Sequence, residues 1–267
     1  LRTVTGVQTC ALPISPKPQN PEWLFIKGVV LEMIRLLIKS MVEAHQGNTL
    51  RINDVVPNLE VETDLHEKIT IHELCGDGWA VIFSHPKDFT PVCTTEFAEV
   101  ALLKDFWHLK NCKVMGVSVD SAEDHRKWKK DIGLVAGVPA EFPIIADIDL
   151  KMSKAFNMLS ADYYLPTSGR TPADSQTVRT VFIIGPDNKL KLTLTYPAST
   201  GRNFLEILRV LDSLQLTAHY SVATPANWTQ GEDVIVVPAV STEDALKKFP
   251  KGVTVVKPYL RYTPQPD

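Results

Sequence analysis

The feature that most constrains this chain is a regular alternation of strand-like and helix-like segments that begins at Asn53 and stops near His219. Trp79 to Ser84 (Trp-Ala-Val-Ile-Phe-Ser) is a continuous apolar run of strand length, and Lys113 to Val119 is another. Uninterrupted runs of this kind suit strands covered on both faces. Between them, Phe97, Val100, Ala101, Leu103 and Trp107 recur at helical spacing, which predicts a helix over Thr94 to Leu109. A second unit follows, with a helix over Ser121 to Ile132, an extended Phe142 to Ala146 and a helix over Leu150 to Met158. Thr177 to Ile184 and Lys189 to Tyr196 flank Gly185-Pro-Asp-Asn188, a turn sequence, and predict a hairpin ahead of a long amphipathic helix over Asn203 to Leu216. Such a pattern implies an α/β fold whose central sheet is mixed in direction and flanked by helices.

Near His219 the pattern gives way to shorter, proline-punctuated elements: Val234 to Val237, a helix over Thr242 to Phe249, and Tyr259 to Tyr262. A domain boundary is therefore expected at about residue 220. At the other end the first methionine is Met33, and Leu1 to Ser15 resembles a translated adaptor remnant. Residues 1–46 are read as an extension of doubtful origin, with a genuine extra helix as the alternative. The expected division is 1–46, 47–220 and a smaller domain over 221–267.

Composition excludes several classes. A net charge of −3 with 22% charged residues gives no electrostatic reason for a nucleic-acid or anionic-membrane partner. The longest apolar stretch, Leu24 to Met41, is broken by Lys27, Glu32, Arg35 and Lys39, so stable membrane insertion is not expected. Gly28, Glu32, Arg35, Lys39 and Glu43 instead share one face of an amphipathic helix. The ordered basic, apolar and small-residue pattern of a secretory signal is missing.

Four cysteines, Cys10, Cys75, Cys93 and Cys112, are too few and too irregular for a disulfide framework, and the cytoplasm is the expected compartment. None forms a Cys-x-x-Cys unit or pairs with a histidine at zinc-ligand spacing, so neither a metal nor any other cofactor is expected.

Cys93 has the setting of a nucleophile. It follows a strand and a proline-bounded loop at the start of a helix, where unpaired N–H groups and the dipole favour a thiolate. Thr90, three residues earlier, is close enough in a tight turn to bring its hydroxyl to the sulfur, and Pro86 and Pro91 stiffen the loop. His85 adds a donor or a buried structural hydrogen bond. Cys75 and Cys112 lie beside apolar segments and read as packing residues.

Pro86, Thr90 and Cys93 match Pro-x-x-x-Thr-x-x-Cys, and Phe83 to Glu96 (Phe-Ser-His-Pro-Lys-Asp-Phe-Thr-Pro-Val-Cys-Thr-Thr-Glu) resembles the 1-Cys, peroxiredoxin-6 type of peroxiredoxin. The resemblance extends through Asp120-Ser-Ala-Glu-Asp-His125, Phe142-Pro-Ile-Ile145, Tyr196-Pro-Ala-Ser-Thr-Gly-Arg-Asn-Phe204 and Tyr259-Leu-Arg-Tyr-Thr-Pro-Gln-Pro266. It implies a thioredoxin-like core and a C-terminal domain that joins a homodimer. Cys93 would be the peroxidatic cysteine, Thr90 would hydrogen-bond the reacting atoms, and Arg179 would stabilise the thiolate and transition state, with Pro86, His85 and Glu96 in support. The substrates implied are hydrogen peroxide and organic hydroperoxides, those of phospholipids included. No cysteine follows Cys112, so no downstream resolving thiol exists and an external one, glutathione or similar, is expected to reduce the sulfenic acid. A redox-regulated binding or chaperone module is the competing reading; a disulfide oxidoreductase is disfavoured by the absence of a second cysteine beside Cys93.

Proteins of this type are also credited with a phospholipase A2 activity at a Gly-x-Ser-x-Gly turn. The matching stretch is Gly76-Asp-Gly-Trp-Ala80, with Gly78 at the serine position and His72 and Asp187 as the partners, and lipase activity through it is expected to be absent.

Overall fold

The computed structural model describes residues 30–33, 35, 50–161 and 175–267, and the chain divides into two compact units, Leu1–Asn48 and Thr49–Asp267. In the first unit residues 30–33 and 35 are helical and Arg35 lies 4.0 Å from Glu32. Gly28, Lys39, Glu43 and Cys10 lie outside the described residues.

In the second unit the strands β1 (Glu60–Thr63), β2 (Ile69–Thr70), β3 (Trp79–Ser84), β4 (Cys112–Ser118), β5 (Ile144–Ala146), β6 (Arg179–Ile184) and β7 (Leu190–Tyr196) form one sheet in the order β2-β1-β5-β4-β3-β6-β7. β3 pairs in parallel with β4 and β4 with β5, whereas β6 is antiparallel to both β3 and β7. The expected mixed sheet is present, and β3 at its centre is buried along its whole length. Its alternate residues feed two cores. Val81 and Phe83 join Phe97, Trp128 and Phe204 on one face, and Ala80 and Ile82 join Met115, Val117 and Phe182 on the other.

The helices are α1 (Ile71–Cys75), α2 (Pro91–Leu102), α3 (Lys104–Leu109), α4 (Ala122–Ala136), α5 (Lys151–Ala155) and α6 (Phe204–His219). α4 and α6 start behind Ser121 and Asn203, whose side chains accept from backbone N–H groups of the first turn. The helix expected over Thr94 to Leu109 starts earlier, at Pro91, and breaks at Leu103 into α2 and α3. α5 is shorter than expected at both ends: Leu150 takes a left-handed conformation at its start, and Asn157, just beyond its end, takes one as well. β1, β2 and α1 escaped the periodicity, being short and only half apolar.

Residues 221–267 carry a sheet of their own, β10-β11-β9-β8, from β8 (Val222–Ala223), β9 (Val234–Val236), β10 (Thr254–Lys257) and β11 (Leu260–Thr263), with α7 (Thr242–Lys248) beside it. Val222, Trp228, Val234, Val236, Ala245 and Phe249 form its small core. Among the described residues no helix is long and apolar enough to cross a membrane.

Candidate active site

β3 delivers the chain to the site and α2 carries it away. Thr90 is the N-cap of α2 in an extended conformation, and Pro91 occupies the first turn, where its missing N–H costs nothing. Cys93 is thus the third helical residue, not the residue before the helix, and is fully buried. The Thr90 hydroxyl donates to Lys87 O at 2.9 Å, and its carbonyl accepts from both the N–H and the hydroxyl of Thr94. Trp128 on α4 donates to the Thr94 hydroxyl at 3.1 Å and so ties α2 to its neighbour. On the sheet side, Gly116 leaves room for Phe97. A Cβ there would stand 2.6 Å from the Phe97 ring, which fixes how closely α2 lies on β4.

Arg179, the first residue of β6, reaches the sulfur. Its Nη1 lies 3.3 Å from Cys93 Sγ and donates to Glu96 Oε2 at 2.6 Å, while Nε donates to Ala198 O at 2.8 Å. Glu96, one turn below Cys93, also binds Arg202. It accepts from the Arg202 backbone N–H and Nε at 2.9 Å each, and from Nη2 at 2.7 Å. Arg202 Nη1 donates to Ser84 O at 2.8 Å, and its guanidinium lies over the rings of Phe83 and Phe204. Burial pulls the Arg202 guanidinium down, and the Glu96 hydrogen bonds act against that. Two guanidinium groups thus share one carboxylate in a buried setting. The surplus positive charge therefore sits beside the Cys93 sulfur.

Sequence reasoning named Cys93, Glu96 and Arg179, which the fold brings together. It missed Arg202, which lies in the loop between β7 and α6. The available signal was its place directly before the capping Asn203, where the chain turns back over the sheet. Pro86 is buried at the start of the loop. His85 is buried in a separate network: its Nε2 lies 2.7 Å from Asp88 Oδ1, and Asp88 Oδ2 lies 2.6 Å from His125 Nδ1. His85, Asp88 and Asp120 bring ligand-type atoms within 4.8 Å of one another. Both Asp88 oxygens face imidazoles, however, and Asp120 Oδ2 accepts from Asp88 N–H and the Ser118 hydroxyl, so these lone pairs are committed to hydrogen bonds.

The other described thiols differ in kind. Burial pushes Cys75 up to about 11 and Cys112 up to about 12, values that keep both protonated at neutral pH. At the lipase-like stretch, His72 Nε2 lies 2.9 Å from Val56 O and Asp187 pairs with Lys191 at 2.8 Å.

The AhpC/TSA family model matches residues 52–193, and the model for the C-terminal domain of 1-Cys peroxiredoxin matches residues 213–252. The 1-Cys peroxiredoxin of Dictyostelium discoideum is 49% identical over 221 residues, 83% of this chain and 88% of that protein. Peroxiredoxin-6 of Gallus gallus is 48% identical over 82% of this chain and 99% of its own. Among solved structures, a cysteine-to-serine mutant of peroxiredoxin 6 from Arenicola marina superposes with a TM-score of 0.74 at 44% identity, covering 82% of this chain and 99% of that one. A yeast mitochondrial 1-Cys peroxiredoxin, whose thiol is resolved via glutathione/thioredoxin systems, gives 0.73 at 43% identity over 81% of this chain and 100% of that one. With a reactive-type cysteine at the head of α2, a thioredoxin-like sheet and relatives of near-equal extent, this chain belongs to the AhpC/TSA family as a 1-Cys peroxiredoxin of the peroxiredoxin-6 type, a thiol peroxidase.

Proposed function

We propose that Cys93 is the peroxidatic residue and that the chain reduces hydrogen peroxide and organic hydroperoxides, with phospholipid hydroperoxides inside that class. The observation that carries this reading is the 3.3 Å approach of Arg179 Nη1 to Cys93 Sγ beside a carboxylate that neutralises only one of two guanidiniums. The thiolate attacks the terminal peroxide oxygen, the O–O bond breaks, and sulfur becomes a sulfenic acid while water or an alcohol leaves. Arg179 stabilises the negative charge as it moves from sulfur to the leaving oxygen. Thr90, with lone pairs left on its hydroxyl, orients the peroxide; Pro86, His85 and Glu96 support the loop and the arginine. Reduction of the sulfenic acid falls to an external thiol such as glutathione, because no cysteine follows Cys112.

The division into 47–220 and 221–267 is supported by the separate small sheet after residue 221, and a cytosolic compartment by the three free thiols among the described residues; a homodimer belongs to the same reading through the match to the C-terminal domain of 1-Cys peroxiredoxin. The test is the mass of Cys93 after near-stoichiometric peroxide, with and without glutathione. One added oxygen, removed by the thiol, is expected, and Cys93→Ser should abolish peroxide consumption. Consumption by Cys93→Ser at the original rate would refute the assignment.

A further inference from the structure

The hydrogen-bond ladder between β4 and β5 ends where a proline withholds the next donor. A strand between two parallel neighbours turns its backbone groups alternately to one and the other. The carbonyls of Asn111 and Val117 accept from the N–H groups of Trp79 and His85, which places the odd-numbered residues of this stretch toward β3. Gly116 N–H donates to Pro143 O at 3.0 Å and Ser118 O accepts from Asp147 N–H at 2.8 Å, which places the even-numbered residues toward β5. Val114 is the preceding even position. In a continued ladder its N–H would donate to Glu141 O and its carbonyl would accept from Pro143, which has no N–H. The paired register accordingly begins at Gly116 opposite Ile144, and neither backbone group of Val114 has a hydrogen-bond partner among the described residues.

This open edge borders a hollow. A cavity of about 240 Å³ is lined by β4 from Cys112 through Met115. Val100, Trp107 and Phe142 wall it on the α2 side of the sheet, and Leu74 and Met115 on the other. At its rim Lys104 and Glu141 pair with each other. Lys113, also in the lining, pairs with no carboxylate among the described residues; its Nζ sits beside Gly76, 2.5 Å from where a Cβ on that glycine would stand. An unpaired ammonium therefore stands next to an unpaired N–H and C=O. Cys112 lies opposite Trp79, the first residue of β3, whereas Cys93 lies beyond the last, so the hollow and the reactive thiol occupy opposite ends of these strands.

We propose that the open edge of β4 at Val114 is a docking site for an extended peptide segment of a partner protein, with aliphatic side chains in the hollow and an aspartate or glutamate against Lys113. The backbone chooses a peptide. An extended chain presents an N–H and a C=O along one edge and completes the ladder that Pro143 interrupts, whereas a hydrocarbon ligand in the same space would leave both Val114 groups unsatisfied. The walls choose the side chains, since successive residues of an added strand point to opposite faces and meet apolar groups on each. Lys113 chooses the acid, as a charge with a free partner position at the end of the hollow.

The test titrates the full chain, labelled with nitrogen-15, with acetyl-Glu-Val-Leu-Val-amide and with its fully N-methylated counterpart. The unmodified peptide should shift the Val114 amide resonance, slow its exchange with solvent and bind with a Kd below about 1 mM. The N-methylated peptide keeps the side chains and the carboxylate but cannot donate to the strand, and should bind at least about tenfold more weakly. Lys113→Gln should weaken the unmodified peptide about two- to fivefold and flatten its salt dependence, while peroxide consumption stays at the wild-type rate. A Val114 resonance that does not move at about 1 mM peptide overturns the proposal. Equal binding of the two peptides also overturns it, because apolar adhesion then suffices without a ladder. Unchanged affinity in Lys113→Gln rejects the acidic partner. Val114 protection in the free protein that fades on dilution places a second copy of this chain on the edge and rejects the peptide. None of these readouts depends on the reaction at Cys93.

Discussion

Arg179 Nη1 stands 3.3 Å from Cys93 Sγ and 2.6 Å from Glu96 Oε2, so a single nitrogen serves both the sulfur and the carboxylate that anchors it. Arg179→Gln keeps a hydrogen-bonding group but loses the charge, and peroxide consumption should slow by on the order of 10²- to 10³-fold, the usual cost of deleting a donor aimed at developing negative charge. Arg179→Lys keeps the charge without the planar fork and should fall between the two. Stopped-flow mixing with peroxide measures both, and an unchanged rate in Arg179→Gln would remove this arginine from the reaction.

Arg202 should matter for stability as well as rate. It supplies three of the hydrogen bonds that Glu96 accepts and caps the Ser84 carbonyl. Arg202→Met preserves the backbone N–H bond and some of the packing on Phe83 and Phe204, yet leaves Glu96 with one guanidinium. Arg179 still neutralises Glu96, so the cost is that of the charge-assisted hydrogen bonds lost, about 1.5–3 kcal/mol each. Urea denaturation should show a lower midpoint with little change in slope.

The contrast between these two arginines marks what the sequence could convey. β3, β4 and α6 were legible because their apolar runs and periods reflect burial on known faces, and Cys93 was legible because its loop carries a dense local pattern. Arg202 was not, because its function arises from contacts with Glu96 and Ser84, more than a hundred residues away in the chain. The start of α2 was misjudged for a local reason: Pro91 looks like a breaker, yet at the first helical position it is an initiator. β1 and β2 were hidden because strands of four and two residues carry too few apolar positions to register a period.

His85 ties stability to pH. Its folded-state value is lowered, with burial as the main cause, so below the unfolded value of about 6.5 the unfolded chain binds a proton that the folded chain resists. Stability therefore rises with pH across the window from the lowered folded value up to about 6.5, and falls on acidification through it. Chemical denaturation at pH 5 and pH 7 should show the lower stability at pH 5. His85→Gln should flatten that slope.

Cys75 and Cys112 should be dispensable for the reaction. Both are buried, and their raised values of about 11 and about 12 leave almost no thiolate at neutral pH. Cys75→Ala and Cys112→Ala should retain peroxide consumption within about twofold, and should lose only the modest stability expected of a small buried side chain. Mass mapping after limited peroxide should find oxygen on Cys93 before either of them.

Restoring a serine at the lipase-like stretch should not restore a lipase. A Cβ built on Gly78 lies 2.6 Å from the Asn111 carbonyl oxygen and 3.1 Å from its side-chain amide, and that carbonyl also accepts the Trp79 N–H. The clash is with backbone, so Gly78→Ser must push β3 away from the turn before β4, at a cost of about 1–3 kcal/mol. Nor are the partners poised for a nucleophile. His72 is occupied by the Val56 carbonyl and Asp187 by Lys191, with no carboxylate among the described residues hydrogen-bonded to the His72 ring. A serine there has no base oriented to take its proton. Gly78→Ser should therefore unfold at lower denaturant than wild type, keep its peroxide chemistry while folded, and release no fatty acid from phosphatidylcholine vesicles; release that appears with the serine and vanishes with His72→Ala would contradict this account of the turn.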